Sequence, residues 1–143
     1  MRAGWLAIGL ALGALAGCVP ATGVRAPDAP ISSQVNVRAP QIAGAWVTRA
    51  SWGKAPAPGA RLSFAEGLHQ NGPGRFHAQS GPLAGRTFWV LWMDADGRTA
   101  AIGDPEGQFG WIMDRKPKGG ADRIAAAKEI MNWMGYDMSR MME

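Results

Sequence analysis

The run FWVLWMDADGRTAAIGDPEGQFGWIMDRKP, residues 88–117, decides the fold. It divides into three apolar stretches (88–93, 99–103 and 109–113), each of strand length and bounded by turn residues. Asp94-Ala95-Asp96-Gly97 and Asp104-Pro105-Glu106-Gly107 supply the turns, since Asp bonds its own backbone and Gly takes conformations other residues resist. Connections this short pair strands antiparallel; a parallel crossover needs about a dozen residues or more. The stretch therefore predicts a meander. Residues 88–93 are apolar on both faces, which predicts burial on both sides, with one face under a helix.

That helix follows. Pro117 and Gly119-Gly120 break the chain, and from about Ala121 to Met134 the residues Ile124, Ala127, Met131 and Met134 recur at three- and four-residue steps. Asp122 suits the positive end of the helix dipole, and Gly135 can end the helix in a left-handed conformation. Met131, Met134, Met138, Met141 and Met142 read as adaptable packing.

Upstream, the signals weaken. Residues 75–79 predict a short strand with Phe76 and Ala78 on one side, and 67–74 contain Asn71-Gly72-Pro73-Gly74, a strong turn signal. Residues 60–66 alternate Leu62 and Phe64 against Arg61 and Ser63, the pattern of a half-buried strand. Pro56 and Pro58 mark a loop, and Gly44-Ala45-Trp46-Val47-Thr48 opens a strand, so a folded domain of residues 42–143 is expected. Its class is mainly β, with one C-terminal helix.

The N-terminus reads as delivery. Arg2 and an apolar core from Trp5 to Leu15 form an export signal over 1–17, too short for a permanent span of about 20 apolar residues. Leu15-Ala16-Gly17-Cys18 resembles the lipobox of bacterial lipoproteins. The resemblance implies that Cys18 becomes the N-terminus, carrying a diacylglyceryl thioether and, in many bacteria, an N-acyl chain such as palmitate. Cys18 is the only cysteine, so no disulfide forms within one copy. Val19 at the next position favours the outer membrane, facing the periplasm. Residues 18–41, with Pro20, Pro27, Pro30 and Pro40, are expected to be a solvated tether.

Composition narrows the function classes. The net charge of +4 is spread along 143 residues without a basic run, so nucleic-acid binding is not expected. Asp94-x-Asp96-Gly97 lacks the later ligands of a calcium loop. His69 and His77 have no evident third metal ligand. There is no nucleophile elbow, phosphate loop or catalytic set, and neither cofactor nor enzymatic activity is expected.

The order Gly44-x-Trp46, Met93-Asp94, Gly103-Asp104-Pro105, Trp111-Ile112-Met113-Asp114-Arg115, helix, Gly135-Tyr136-Asp137-Met138-Ser139 resembles bacterial lipocalins of the apolipoprotein D type. The likeness runs from Pro73 to Met142, plus the Trp46 motif. It implies an antiparallel up-and-down barrel, a helix packed outside, and a cavity for a small hydrophobic ligand such as a fatty acid or lysophospholipid. It further implies that Trp46 plugs one end with Arg115 stacked on its ring, as a structural latch. Phe76, Phe88 or Trp89, Trp92, Ile102 and Trp111 are the expected cavity wall. The parity of the 88–93 strand is open. The region between Trp46 and Phe88 is short for a full barrel, so the sheet could close small, stay open or pair through its edges with another copy. The alternative reading is a structural or protein-interaction lipoprotein without a cavity.

Overall fold

The computed structural model describes residues 23–64 and 68–143. The predicted meander is present as β5 (Thr87–Met93), β6 (Thr99–Gly103) and β7 (Phe109–Asp114), followed by helix α2 (Ala121–Trp133). Ahead of them lie α1 (Ala39–Ile42), β1 (Ala45–Gly53), β2 (Arg61–Ser63), β3 (Leu68–Gly72) and β4 (Arg75–Ala78). Strand β3 runs up to the expected turn, and the chain reverses at Pro73-Gly74, where Gly74 has φ 63°.

Among the described residues the strands form one seven-stranded sheet in the order β2-β1-β7-β6-β5-β4-β3, with every pair antiparallel. Pairing of β1 with β7 joins the two ends of the domain, and the sheet curls until all seven strands turn one face toward a common interior. Its edges are β2 and β3, consecutive in the chain. Following the antiparallel pairs round the sheet makes β2 and β3 run in the same direction. An alternating ring would need one further strand between them. The sheet is therefore a curled antiparallel half-barrel, open along one seam.

Of three register shifts, those on β5 and β1 set which side chains face inward; the third, between Gln70 and Gly72 of β3, adjoins the hairpin turn. On β5 the register with β6 shifts between Val90 and Trp92, so Phe88, Val90 and Met93 face the interior while Trp89, Leu91 and Trp92 face out. On β1 the register with β7 shifts between Thr48 and Ala50. Trp46 faces in, Ala50 and Trp52 face out, and Thr48 and Ser51 lie opposite the inward residues Met113 and Trp111.

The outer face of β5 to β7 lies under α2, as expected from the apolar run. Ile124, Ala127 and Met131 pack there against Ala50, Trp52, Leu91, Ala101 and Ile112. Tyr136, just past the helix, is buried beside them and stands edge-on to Trp52 at 5.7 Å. Its hydroxyl accepts from the Asp104 amide and donates to the Phe109 carbonyl, both at 2.9 Å. Gly110 is required at this spot, because a Cβ there would lie 2.5 Å from the Tyr136 ring.

Residues 23–41 differ from the expected solvated tether. They form a strap packed on the domain, with Val24 and Val37 buried. Val24 donates to Gly107 at 2.7 Å and Gln34 donates to Val90 at 2.7 Å. Arg25, which reads in sequence as one more isolated charge, is 6% exposed; its guanidinium donates to the carbonyls of Met134, Pro105 and Ala29. A planar five-donor group can be buried when carbonyls surround it, and here three separate segments supply them. Cys18 and the signal segment lie outside the described residues.

Candidate ligand-binding site

The interior is built by alternation: each strand sends every second side chain inward, and the two bulges reset the phase. Phe76, Phe88, Ile102 and Trp111 all meet there. Phe88 is the hub, with Phe64, Phe76 and Trp111 at ring distances of 5.8, 5.8 and 5.6 Å, and Phe109 extends the group at 5.9 Å from Trp111. Trp89 and Trp92 are not part of this wall. Both lie on the outer face: Trp89 by simple alternation with Phe88, beneath the Arg75 guanidinium at 4.0 Å, and Trp92 because the bulge between Val90 and Trp92 breaks that alternation.

One end of the barrel is shut. Helix α1 crosses it, placing Ile42 in the interior, and the Trp46 indole donates to the Ile42 carbonyl at 2.7 Å. The Arg115 guanidinium lies 3.6 Å from the centre of the Trp46 ring. It donates to the carbonyls of Gln41 (2.9 Å), Ala43 (2.8 Å), Ala45 (3.2 Å) and Gly97 (3.2 Å). Gly44 permits this floor: it has φ 95°, and a Cβ would sit 3.3 Å from Arg115 Nη1.

Beside the floor, Asp114 ties α2 to the sheet. Its buried carboxylate accepts from Thr99 Oγ1 at 2.5 Å, the Lys116 amide at 2.8 Å and Arg123 at 3.2 Å. Burial alone pushes its pKa up, but these hydrogen bonds and the Arg123 charge outweigh burial and hold it below the ordinary value.

The seam is different. Between β2 and the turn after β4 lies a cavity of about 40 Å³, lined by Leu62, Phe64, Leu68, Ala78 and Leu83 among others. This is room for little more than water, whereas ligand pockets run to about 300 Å³ or more. Aromatic side chains fill the rest of the interior. That interior also carries polar atoms: Thr48 Oγ1, Ser51 Oγ and Trp111 Nε1 are buried without a hydrogen-bond partner among the described residues. Alternation alone does not reveal them, because it takes the bulge to turn both Thr48 and Ser51 inward.

Residues 74–143 match the family model of the lipocalin-like domain. The match takes in β4 to β7, α2 and the Tyr136 anchor. No curated protein matches the chain. Similar solved structures include the solution NMR structure of lipocalin 12 from rat epididymis, at 12% identity and a TM-score of 0.49, over 78% of this chain and 87% of that one. Outside the interior, His69 and His77 are cross-strand partners, and no group of three metal-binding side chains occurs among the described residues. Asp94 makes a turn, its carboxylate accepting from the amides of Arg98 and Thr99 at 2.6 Å each.

Proposed function

We propose that this chain is a small lipocalin-like lipoprotein that binds or transfers a hydrophobic ligand, a fatty acid or lysophospholipid, without enzymatic activity. The observation that carries the reading is the seam, where the aromatic interior, through Phe64, meets a small cavity between β2 and the turn after β4. A ligand would enter by parting Leu62 and Phe64 from Leu68, Ala78 and Leu83, displacing rings that now pack on one another. Saturable change of tryptophan emission on titrating acyl-free Cys18→Ala protein with oleate or lysophospholipid is the expected result, since Trp111 lines the interior. A folded protein whose emission never changes would sink the carrier reading.

The lipobox supports a lipid anchor at Cys18, and Val19 supports the outer membrane, facing the periplasm. Among the described residues no helix is long and apolar enough to cross a membrane. Cys18→Ala should abolish acyl labelling and release the protein from membranes; persistent attachment would defeat the anchor.

A second reading has its own observation. A free space of about 40 Å³ suits a solid scaffold whose open edges at β2 and β3 pair with a protein partner or a second copy. It predicts no response to amphiphiles and a concentration-dependent association.

A further inference from the structure

We infer that the ligand is an anionic amphiphile whose head sits in a basic groove beside the seam. The inference rests on the carrier reading above and adds the place and charge of the head. A groove of about 290 Å³ lies on the surface between the loop after β1 and the turn before β5. Lys54, Arg61 and Arg86 line it, over a floor that includes Leu62, Pro82 and Leu83, and no acidic residue lines it among the described residues.

Leu62, Pro82 and Leu83 also line the seam cavity, so groove and seam lie side by side with a shared wall. A molecule with its charged head among the three cations would direct its chain across those shared residues toward Phe64 and the interior. Arg86 is held in place for this: it donates to the Lys54 carbonyl and lies 5.3 Å from the Phe109 ring. The side chains of Lys54 and Arg61 make no ion pair among the described residues. Glu106 lies in a separate groove on the other side of Arg86, which leaves the Lys54 and Arg61 side for an anion. Three like charges around one apolar floor repel one another, and an anion offsets that repulsion. Carboxylate and phosphate heads share this chemistry.

The test compares oleate, oleoyl lysophosphatidate and monoolein, which share one acyl chain, on Cys18→Ala protein followed by tryptophan emission. Either anion should bind about tenfold more tightly than monoolein at low salt, as expected of two or three exposed charge contacts, and lose that advantage as salt rises. The relative affinities of oleate and lysophosphatidate identify the preferred head, carboxylate or phosphate. Replacing Lys54→Gln and Arg61→Gln together should remove the anion advantage and leave monoolein unchanged. Both side chains are exposed, and circular dichroism checks that the variant folds. Equal binding of all three probes, or equal weakening of all three in the variant, overturns the groove while the carrier reading stands. Binding of none overturns both.

Discussion

The floor and the seam of this barrel are closed by different kinds of contact. At the floor, Arg115 donates to four carbonyls and covers Trp46, and the Trp46 indole holds α1 across the opening. At the seam, β2 and β3 share no ladder, and apolar side chains meet around a small void. Directional bonds fix one geometry, whereas apolar contacts lacking backbone pairing part at lower free energy. The floor is thus the rigid reference against which the seam can open.

The largest effect should come from breaking the floor. Trp46→Ala removes a fully buried ring, leaves Arg115 without its platform and frees α1. A loss of about 3–5 kcal/mol is expected from the cavity alone. Urea denaturation measures it, and a loss under about 1 kcal/mol would show that α1 and Arg115 hold the floor without the indole. Trp52 is equally buried on the outer face, and its indole donates to the Asp137 carbonyl at 2.9 Å. The two substitutions should therefore differ in the region they disturb: Trp46→Ala should open the barrel end to small probes, and Trp52→Ala should loosen α2.

A smaller effect tests the side of the floor. Asp114 has a pKa held below 3.8 in the folded protein, so its contribution is complete above that value. It is lost as pH falls through the lowered folded value, because the native state must then take up a proton it resists. Asp114→Asn should cost about 1–3 kcal/mol at neutral pH by weakening charged hydrogen bonds, and it should flatten the acid limb of the stability curve. An acid limb unchanged in the variant would assign acid unfolding to other carboxylates. Tyr136 acts at the opposite extreme: burial pushes its pKa from the ordinary 10.0 up to about 12, so its contribution is complete below the ordinary value and is lost as pH rises from there through about 12.

Legibility in the sequence divides along the same line. The meander, α2 and the Trp46–Arg115 pairing are readable because turn residues, helical spacing and a motif order each point to one answer. The inward parity of β5 is not, since a bulge places Leu91 and Trp92 both outward and no residue type marks it. The strap reads as a tether because prolines and isolated charges resemble a linker; what orders it is tertiary, Arg25 meeting carbonyls from distant segments and Gln34 bonding to β5. The basic groove is invisible in the sequence because Lys54, Arg61 and Arg86 are scattered in the chain and meet only when the sheet curls. Strand β3 is hidden in polar residues whose alternation is weak.

The smallest effect should come from the seam itself. Leu68 is half-buried and packs on the interior from β3, so Leu68→Ala removes only part of a side chain's burial and should cost about 1 kcal/mol. Its informative readout is kinetic. If the seam is where the barrel opens, enlarging its void should speed amide exchange in β2 and β3 while β6 and β7, paired on both sides, keep their protection. Uniform acceleration across all strands would mean that the sheet opens as one body, with the seam no weaker than the floor. Faster exchange confined to β2 and β3, together with faster ligand uptake, would place opening at the edge where the alternating ring lacks a strand.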